Sequence, residues 1–222
     1  MTITIVIFLC IILLYFIIGV FDIQKNIFVE SKNSVTKGQI CLTFDDGPDK
    51  IMTPKILKIL NKYNIKGTFF LIGKNIKNNE DLVKKISCEG HSIGSHTFSH
   101  EILFPFLSKK KMFTEIKQTN DIIKKITGKK IIHFRPPFGI TNINIKITLN
   151  KLKMKSIGWN LRSLDTVINN PIKLYKRTTQ KIDNGGNILL FHDRCNSTLT
   201  VLEKIIKYCL KKNYKFITID DI

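Results

Sequence analysis

Two adjacent carboxylates follow the first apolar segment after residue 38. Asp45 and Asp46 come directly after this segment and are followed by Gly47 and Pro48, which favour a turn. Because neighbouring anions repel each other, the pair is explained if one carboxylate binds a cation and a basic partner keeps the other ionised. This pattern indicates a metal ligand beside a general base. An aspartate-rich surface turn is the alternative interpretation of the motif on its own.

Two histidines have a spacing that suits metal binding. His96 and His100 are four residues apart, which places both side chains on one face of a helical turn and within reach of one ion. Two histidines are a weak signal alone, but an aspartate at the end of another strand would supply a third ligand. We interpret His91 as structural, because it lies within the segment that precedes the pair.

Three further segments each lead into polar side chains that could take part in catalysis. Arg135 is followed by two prolines that stiffen the loop, and it is a candidate partner for an ionised carboxylate. Trp159, the only tryptophan, is followed by Arg162 and Asp165, although a core tryptophan is the simpler interpretation. His192 ends an apolar segment and is a candidate proton donor, with a core or surface histidine as the alternative.

Alternating strand-like and helical patterns predict the elements that position these residues. Short apolar or β-branched runs predict seven strands, near residues 39–44, 67–72, 91–94, 131–134, 154–159, 187–191 and 215–219. Amphipathic stretches between them predict helices near residues 53–63, 81–88, 108–126, 144–152, 171–182 and 199–210. The alternation predicts an α/β domain with a parallel sheet, either open or closed into a barrel. In such folds catalytic groups gather at the carboxyl ends of the strands.

Charge and cysteine content argue against several other classes of function. The chain of 222 residues carries 36 lysines and arginines against 17 acidic residues, a formal net charge of +19. The lysines are scattered, with one dense cluster at Lys109, Lys110 and Lys111, and no arginine-rich stripe accompanies them, so we expect no nucleic-acid partner. Attraction to an anionic envelope is the expected by-product. The five cysteines form no metal-binding pattern, and a thiol nucleophile at Cys195 near His192 is an alternative.

Together these motifs resemble the polysaccharide deacetylases of carbohydrate esterase family four, also called NodB-like domains. The resemblance covers residues 39–219, and five motifs occur in the order of the family. It implies a distorted (β/α)7 barrel of the NodB-like type. It also implies a divalent metal ion held by Asp46, His96 and His100, commonly zinc, with cobalt, nickel or manganese as alternatives.

The resemblance assigns roles to the other polar candidates. It implies that Asp45 is the general base and that Arg135 orients it. His192 is implied to be the acid that protonates the leaving amine, and Asp165 is the retained residue of the motif that tunes this acid.

The remaining candidates are implied to contact the substrate. Leu190 would line the slot for the acetyl methyl group, a backbone N–H near Phe138 would stabilise the oxyanion, and Trp159 and Arg162 would border the cleft. Arg162 and Thr166 stand where the family often has an aspartate and a tryptophan. We therefore expect altered hydrogen bonding around the acid and the cleft.

The implied activity is metal-dependent hydrolysis of N-acetyl groups from a polysaccharide that contains N-acetylglucosamine, with release of acetate. Peptidoglycan, a chitin-like oligomer and an exopolysaccharide all fit this description. Two alternatives remain, a deacylase of a lipid-linked sugar and a catalytically silent carbohydrate-binding protein. The altered motif favours the silent protein, whereas the complete set of ligands and base favours the enzyme. We expect a monomer.

The N-terminal segment predicts a transmembrane helix. Residues 2–21 contain no charged side chain and are long enough to cross a bilayer. A cleaved signal peptide is the alternative, although the segment lacks a basic start and a small-residue cleavage site. Lysines after the span favour a cytoplasmic domain, whereas the resemblance favours the periplasm or cell surface, which we expect. The predicted organisation is a transmembrane anchor at 1–21, a linker at 22–37 and a catalytic domain at 38–222.

Overall fold

Ten strands and eight α-helices are present in residues 2–182 and 185–222, the part of the chain that the computed structural model describes. The strands are β1 (Ser31–Lys32), β2 (Ser34–Lys37), β3 (Gln39–Gly47), β4 (Thr68–Leu71), β5 (Ser92–Ser95), β6 (His133–Phe134), β7 (Lys155–Ile157), β8 (Leu161–Arg162), β9 (Gly185–His192) and β10 (Lys215–Ile217). The helices are α1 (Thr2–Phe21), α2 (Met52–Lys62), α3 (Gly73–Ile76), α4 (Glu80–Cys88), α5 (Lys109–Thr127), α6 (Ile143–Leu152), α7 (Pro171–Lys181) and α8 (Asn196–Lys211). All seven strands and six helices expected from the sequence occur, with their ends shifted by up to three residues.

The strands form one curled sheet in the order β1-β7-β6-β5-β4-β3-β9-β2, with β10 also paired to β3 and β8 to β9. Every pairing is parallel except that of β2 with β9. Within the described residues the curl stays open between β7 and β8, which residues 158–160 connect. The expected distorted (β/α)7 barrel is therefore confirmed as a curled parallel sheet with helices around it.

Side chains of β3 alternate between two apolar cores. Ile40, Leu42 and Phe44 point outward into the larger core, which lies between the sheet and the helices. Cys41 points inward to the smaller core, which lies inside the curl. Because successive side chains of a strand point to opposite faces, Asp45 follows Cys41 onto the inner side. Strand β3 therefore places the Asp45 carboxylate inside the curl, at the carboxyl end of the sheet.

Local sequence signals explain where the helices around the sheet begin and end. Ser108 and Asn142 accept hydrogen bonds from backbone N–H groups at the starts of α5 and α6. Helix α7 has Asn170 as its cap and Pro171 at its first position, where a missing N–H costs nothing. Gly128 ends α5 with a φ of 72°, a conformation that favours glycine.

The segment 22–37 differs from the expected linker. Strand β1 pairs with β7, and β2 pairs with β9. Ile23 and Val29 are buried, and the hydroxyls of Ser31 and Ser156 lie 2.7 Å apart. These strands are two and four residues long and mostly polar, so they carry no apolar alternation that a sequence pattern could detect. Tertiary pairing, and not local preference, makes them strands.

Helix α1 is joined to the domain at its carboxyl end. Its side chains are apolar and mostly exposed, and its length and composition are those of a membrane-crossing helix. Thr141 donates from its backbone N–H to the carbonyl of Val20 at 2.9 Å and from its hydroxyl to the carbonyl of Gly19 at 2.7 Å. Phe28 packs close to Gly19, where an added Cβ would lie 2.7 Å from its ring. The helix end is thus fixed to the folded domain.

Candidate active site

A bulge at the end of β3 places two consecutive carboxylates on the same side of the sheet. Asp45 is opposite Phe70 and Gly47 is opposite Leu71, so Asp46 is the extra residue, with a φ of 75°. A regular strand would send the two side chains to opposite faces. Here Oδ2 of Asp45 and Oδ1 of Asp46 lie 3.9 and 3.6 Å from one atom, Nε2 of His96.

Asp46, His96 and His100 present three potential metal ligands to one point. Oδ1 of Asp46 lies 3.6 Å from Nε2 of His96 and 3.5 Å from Nε2 of His100, and the two ring nitrogens lie 3.1 Å apart. Ligand atoms about 2.0–2.2 Å from a tetrahedral Zn²⁺ are separated by about 3.3–3.6 Å. The two oxygen–nitrogen distances lie in this range and the nitrogen–nitrogen distance is slightly shorter, so the spacing and the donor types fit a divalent ion such as zinc.

Neighbouring groups prepare these ligands for a metal. Nδ1 of His96 lies 2.7 Å from the carbonyl oxygen of Arg135, which can only accept, so Nδ1 carries the proton and Nε2 offers its lone pair. Burial, together with the nearby His96, lowers the pKa of His100 to about 4, which keeps the imidazole neutral. Burial raises the pKa of Asp46, but His96 and a hydrogen bond from Arg194 outweigh it and lower the value overall.

Arg135 fixes Asp45 from inside the curl. Its guanidinium is fully buried, and its carbon lies 4.1 Å from the centre of the Phe70 ring. Its N–H groups donate at 2.7–3.1 Å to four oxygens, which belong to the Thr43 hydroxyl, the Asp45 carboxylate and the carbonyls of Ile157 and Gly158. Because Arg135 binds Oδ1 of Asp45, the other carboxylate oxygen remains directed toward His96.

His192 and Asp165 form a second charged pair at the ends of β9 and β8. Nδ1 of His192 lies 2.8 Å from Oδ1 of Asp165, whose Oδ2 accepts from the backbone N–H of His192 and from the hydroxyl of Thr198. Burial lowers the pKa of His192, but the bond and charge of Asp165 outweigh it and raise the value. Burial acts in the opposite sense on Asp165, and His192 lowers its pKa overall. The arrangement fixes Nδ1 as a donor and leaves Nε2 to exchange protons.

Nine of the eleven residues that the sequence analysis selected line one cleft of about 200 Å³. They are Asp45, Asp46, His96, His100, Phe138, Trp159, Arg162, Leu190 and His192. The other two, Arg135 and Asp165, are buried and hydrogen-bonded to residues of this lining. The sequence motifs and the strand-end rule thus converge on one place in the fold.

Arg194 lines the same cleft and escaped the sequence analysis. Its Nε donates to Oδ2 of Asp46 at 2.7 Å. Its position two residues after His192, at the end of a buried strand, is the signal that would have identified it. The thiol alternative loses support, because burial raises the pKa of Cys195 to about 11 and keeps it protonated.

Asp193 lies between the ends of β9 and β3. It is fully buried, accepts a hydrogen bond from the Thr53 hydroxyl at 2.6 Å, and has its pKa raised to about 8 by burial. An added Cβ on Gly47 would lie 2.1 Å from its carboxylate. A larger residue at position 47 would therefore displace the buried Asp193 carboxylate.

Comparison with known proteins connects this cleft to a chemistry. The family described as polysaccharide deacetylase matches residues 32–157. The chain is 33% identical over 195 residues to a peptidoglycan-N-acetylglucosamine deacetylase from Bacillus cereus, covering 82% of this chain and 67% of the relative. It is 34% identical over 210 residues to the peptidoglycan-N-acetylmuramic acid deacetylase PdaA of Bacillus subtilis, covering 90% and 78%.

Some of the similar proteins are longer than this chain, and their names describe both enzymes and a pseudoenzyme. The chain is 31% identical over 193 residues to the peptidoglycan-N-acetylglucosamine deacetylase PgdA of Listeria monocytogenes, yet spans only 40% of its length. A solved structure of a CE4 family pseudoenzyme from Bacillus anthracis superposes with a TM-score of 0.80 at 27% identity, covering 89% of this chain and 70% of the other. The same fold thus carries both enzymes and a pseudoenzyme.

Proposed function

The chain belongs to the polysaccharide deacetylase family, and from that premise we propose that it hydrolyses N-acetyl groups of peptidoglycan with release of acetate. The observation that carries the proposal is the convergence of Asp46, His96 and His100 on one point, with Asp45 and His192 in the same cleft. The names of the relatives support peptidoglycan over other N-acetylated polysaccharides.

Asp46, His96 and His100 are the residues that would hold a divalent ion. When bound, such an ion lowers the pKa of a bound water and polarises the acetyl carbonyl. An aspartate with two neutral imidazoles suits zinc, and also accepts cobalt, nickel or manganese.

Asp45 would accept the proton of the attacking water. Its oxygen Oδ2 lies 3.9 Å from Nε2 of His96, which places it beside the metal position. Arg135 holds Oδ1 through a bond of 2.7 Å, which leaves Oδ2 available to the attacking water.

His192 would donate the proton that releases the amine. Asp165 keeps its imidazole in one orientation and stabilises the cationic form. Leu190, which is buried and lines the cleft, would contact the acetyl methyl group, and Trp159 and Phe138 would contact the sugar. Arg162 would contact substituents at the edge of the same cleft.

We propose that α1 anchors this domain to a membrane and that the domain faces the cell envelope, where peptidoglycan lies. The apolar, exposed surface of α1 and the hydrogen bonds of Thr141 to its last turn support a retained anchor over a cleaved leader. A chain that remains attached would act on glycan close to the membrane.

Acetate release by the full chain in detergent micelles tests the proposal. We expect acetate from peptidoglycan, loss of the signal with a chelator, its return with zinc, and its absence in Asp45→Asn. The matched control is Asp121→Asn, an exposed aspartate on α5 that pairs with Lys117, which we expect to retain full activity. Mass spectrometry of the product muropeptides identifies the sugar that lost the acetyl group.

The pseudoenzyme among the similar structures defines the main alternative. A chain that contains zinc by elemental analysis yet releases no acetate from peptidoglycan or N-acetylglucosamine oligomers would contradict the proposed substrates and would favour a lipid-linked sugar. A chain that binds no metal and releases no acetate would instead be a silent carbohydrate-binding protein.

A further inference from the structure

Large apolar side chains project into solvent beside the cleft. Ile102, Leu103 and Phe106 lie in the turn before α5 and are 76%, 64% and 80% exposed, and Phe138 and Ile143 are 49% and 53% exposed. We call these five residues the apolar rim. Exposed apolar patches of this kind are typical of surfaces that bind a protein or a membrane.

A hydrogen bond joins the two segments that carry the apolar rim. The side chain of Asn142, the residue before Ile143, donates to the carbonyl of Pro105 at 2.7 Å, and Pro105 precedes Phe106. Phe138 lies four residues before Asn142 on the same loop. The rim is therefore one surface built from two neighbouring segments.

The end of α1 adjoins this surface. Thr141, buried next to Asn142, donates both its hydrogen bonds to the carbonyls of Gly19 and Val20 in the last turn of α1. If α1 crosses a bilayer, the lipid boundary lies near this last turn. The apolar rim is then held at the level of the lipid headgroups, where exposed phenylalanine and leucine are favourable.

Basic residues accompany the apolar rim. Lys109, Lys110 and Lys111 are exposed at the start of α5, directly after the rim segment, and Lys146 is exposed on α6 near Ile143. Glu101 is the single acidic residue of the segment 101–111. Lysines beside apolar side chains are the combination that binds anionic lipid surfaces.

We propose that the apolar rim and these lysines form a membrane-docking surface, which seats the domain on an anionic bilayer beside its own anchor. The occupant is the lipid surface, because the rim is continuous with α1 and carries positive charge. Phe138 belongs both to the rim and to the cleft, and its ring centre lies 5.0 Å from that of His100. The cleft therefore opens at the headgroup level, and this consequence for substrate access rests on the proposed function.

Quenching by brominated lipids tests the docking surface without using activity. The full chain is reconstituted into vesicles of anionic lipids brominated on the acyl chains near the headgroup, with Phe106→Trp as the probe. The matched control is Ile172→Trp, because Ile172 is 65% exposed and lies among Lys204, Lys207 and Lys211, in a basic surface between α7 and α8. The unmodified chain gives the signal of the buried Trp159.

We expect the added fluorescence of Phe106→Trp to be quenched about twofold or more relative to that of Ile172→Trp, because an aromatic ring at the interface meets the bromine atoms. Neutral lipids of the same chain length should weaken the quenching. Equal quenching at the two positions, or none at position 106 in a chain that sediments with the vesicles, would overturn the proposal. A chain that does not sediment with the vesicles would overturn it as well.

A second variant separates this proposal from the proposed function. Ile102→Ser combined with Phe106→Ser removes two exposed side chains and should leave acetate release from soluble N-acetylglucosamine oligomers unchanged. If the quenching result holds while no variant or parent releases acetate, the docking surface stands and the proposed function fails. If acetate is released while quenching is absent, the proposed function stands and the docking surface is refuted.

Discussion

Two carboxylates of the active site have cationic partners of different kinds. Asp45 is bound by Arg135, which is buried, and a guanidinium does not lose its proton in proteins. Asp165 is bound by His192, an imidazole that can gain or lose a proton. The cationic partner of the base therefore keeps its charge, whereas the acid itself can gain or lose a proton. We call Asp45 and Arg135 the permanent pair, and Asp165 and His192 the titratable pair. We expect the permanent pair to contribute mainly to stability and the titratable pair to set the pH dependence of activity.

The largest effect is expected when the permanent pair is broken. Arg135→Leu leaves the buried charge of Asp45 and two backbone carbonyls without their donor, so the free energy of unfolding should fall by about 3–5 kcal/mol. Urea unfolding followed by circular dichroism measures the loss. Arg162→Leu is the control, because this arginine is exposed at the cleft, and we expect a change within about 0.5 kcal/mol. Equal stability of the two variants would refute the buried role.

Breaking the titratable pair should affect activity more than folding. Asp165→Asn removes the group that orients His192, and acetate release should fall by about 10²–10⁴-fold. Because the acid must be protonated, activity falls as pH rises through the pKa of His192, which Asp165 raises. Without that carboxylate the pKa drops, so the alkaline limb should move to lower pH. A pH profile of unchanged shape would show that His192 is not the acid.

Arg194 offers an intermediate case, because its side chain is 56% exposed while its Nε binds Asp46. Arg194→Gln should lower zinc affinity about tenfold, since groups that orient a metal ligand contribute about that much. Removal of a positive charge near the ion should by itself raise the zinc affinity, but this effect is small because water screens the half-exposed guanidinium. Competition with a chelator measures the affinity. Arg162→Gln removes an equal charge from another wall of the cleft and should leave the affinity unchanged.

The smallest effect is expected at Asp193, a carboxylate whose bonding partner is the neutral hydroxyl of Thr53. Its pKa is about 8 in the folded protein and near 3.8 when exposed, so the folded state loses stability as pH rises from 3.8 to 8. Asp193→Asn removes this dependence. The gain at pH 8 should be on the order of 1 kcal/mol, because the new amide brings a buried N–H that needs an acceptor. Parallel stability curves of variant and parent between pH 5 and 8 would contradict the shift.

The comparison also explains which parts of the site were predictable from sequence. Asp45, Arg135, Asp165 and His192 each follow an apolar segment, and parallel strands bring such positions to one edge. The bulge at Asp46 was not predictable, because a register shift depends on how β3 pairs with β4. The hydrogen bonds that give each carboxylate its partner arise from tertiary packing, which residue type alone does not specify.

The fold, like the site, was predictable from the sequence only in part. Strand β9 contains a continuous apolar run and helix α5 an amphipathic period, and the bounds of both lie within about two residues of the prediction. Strand β8 is two residues long, which is too short for any period to be detected. Strands β1 and β2 were assigned to a linker, because polar edge segments become strands only through their partners.

The pairing of β2 with β9 has a consequence for how the chain acquires its structure. Residue 34, near the start, pairs with residue 187, near the end. Contacts between positions so distant in sequence form late, because a long loop must close first. During synthesis β2 therefore cannot pair with β9 until most of the chain has left the ribosome. If α1 is inserted early into the membrane, the sheet is completed next to an anchor that is already in place.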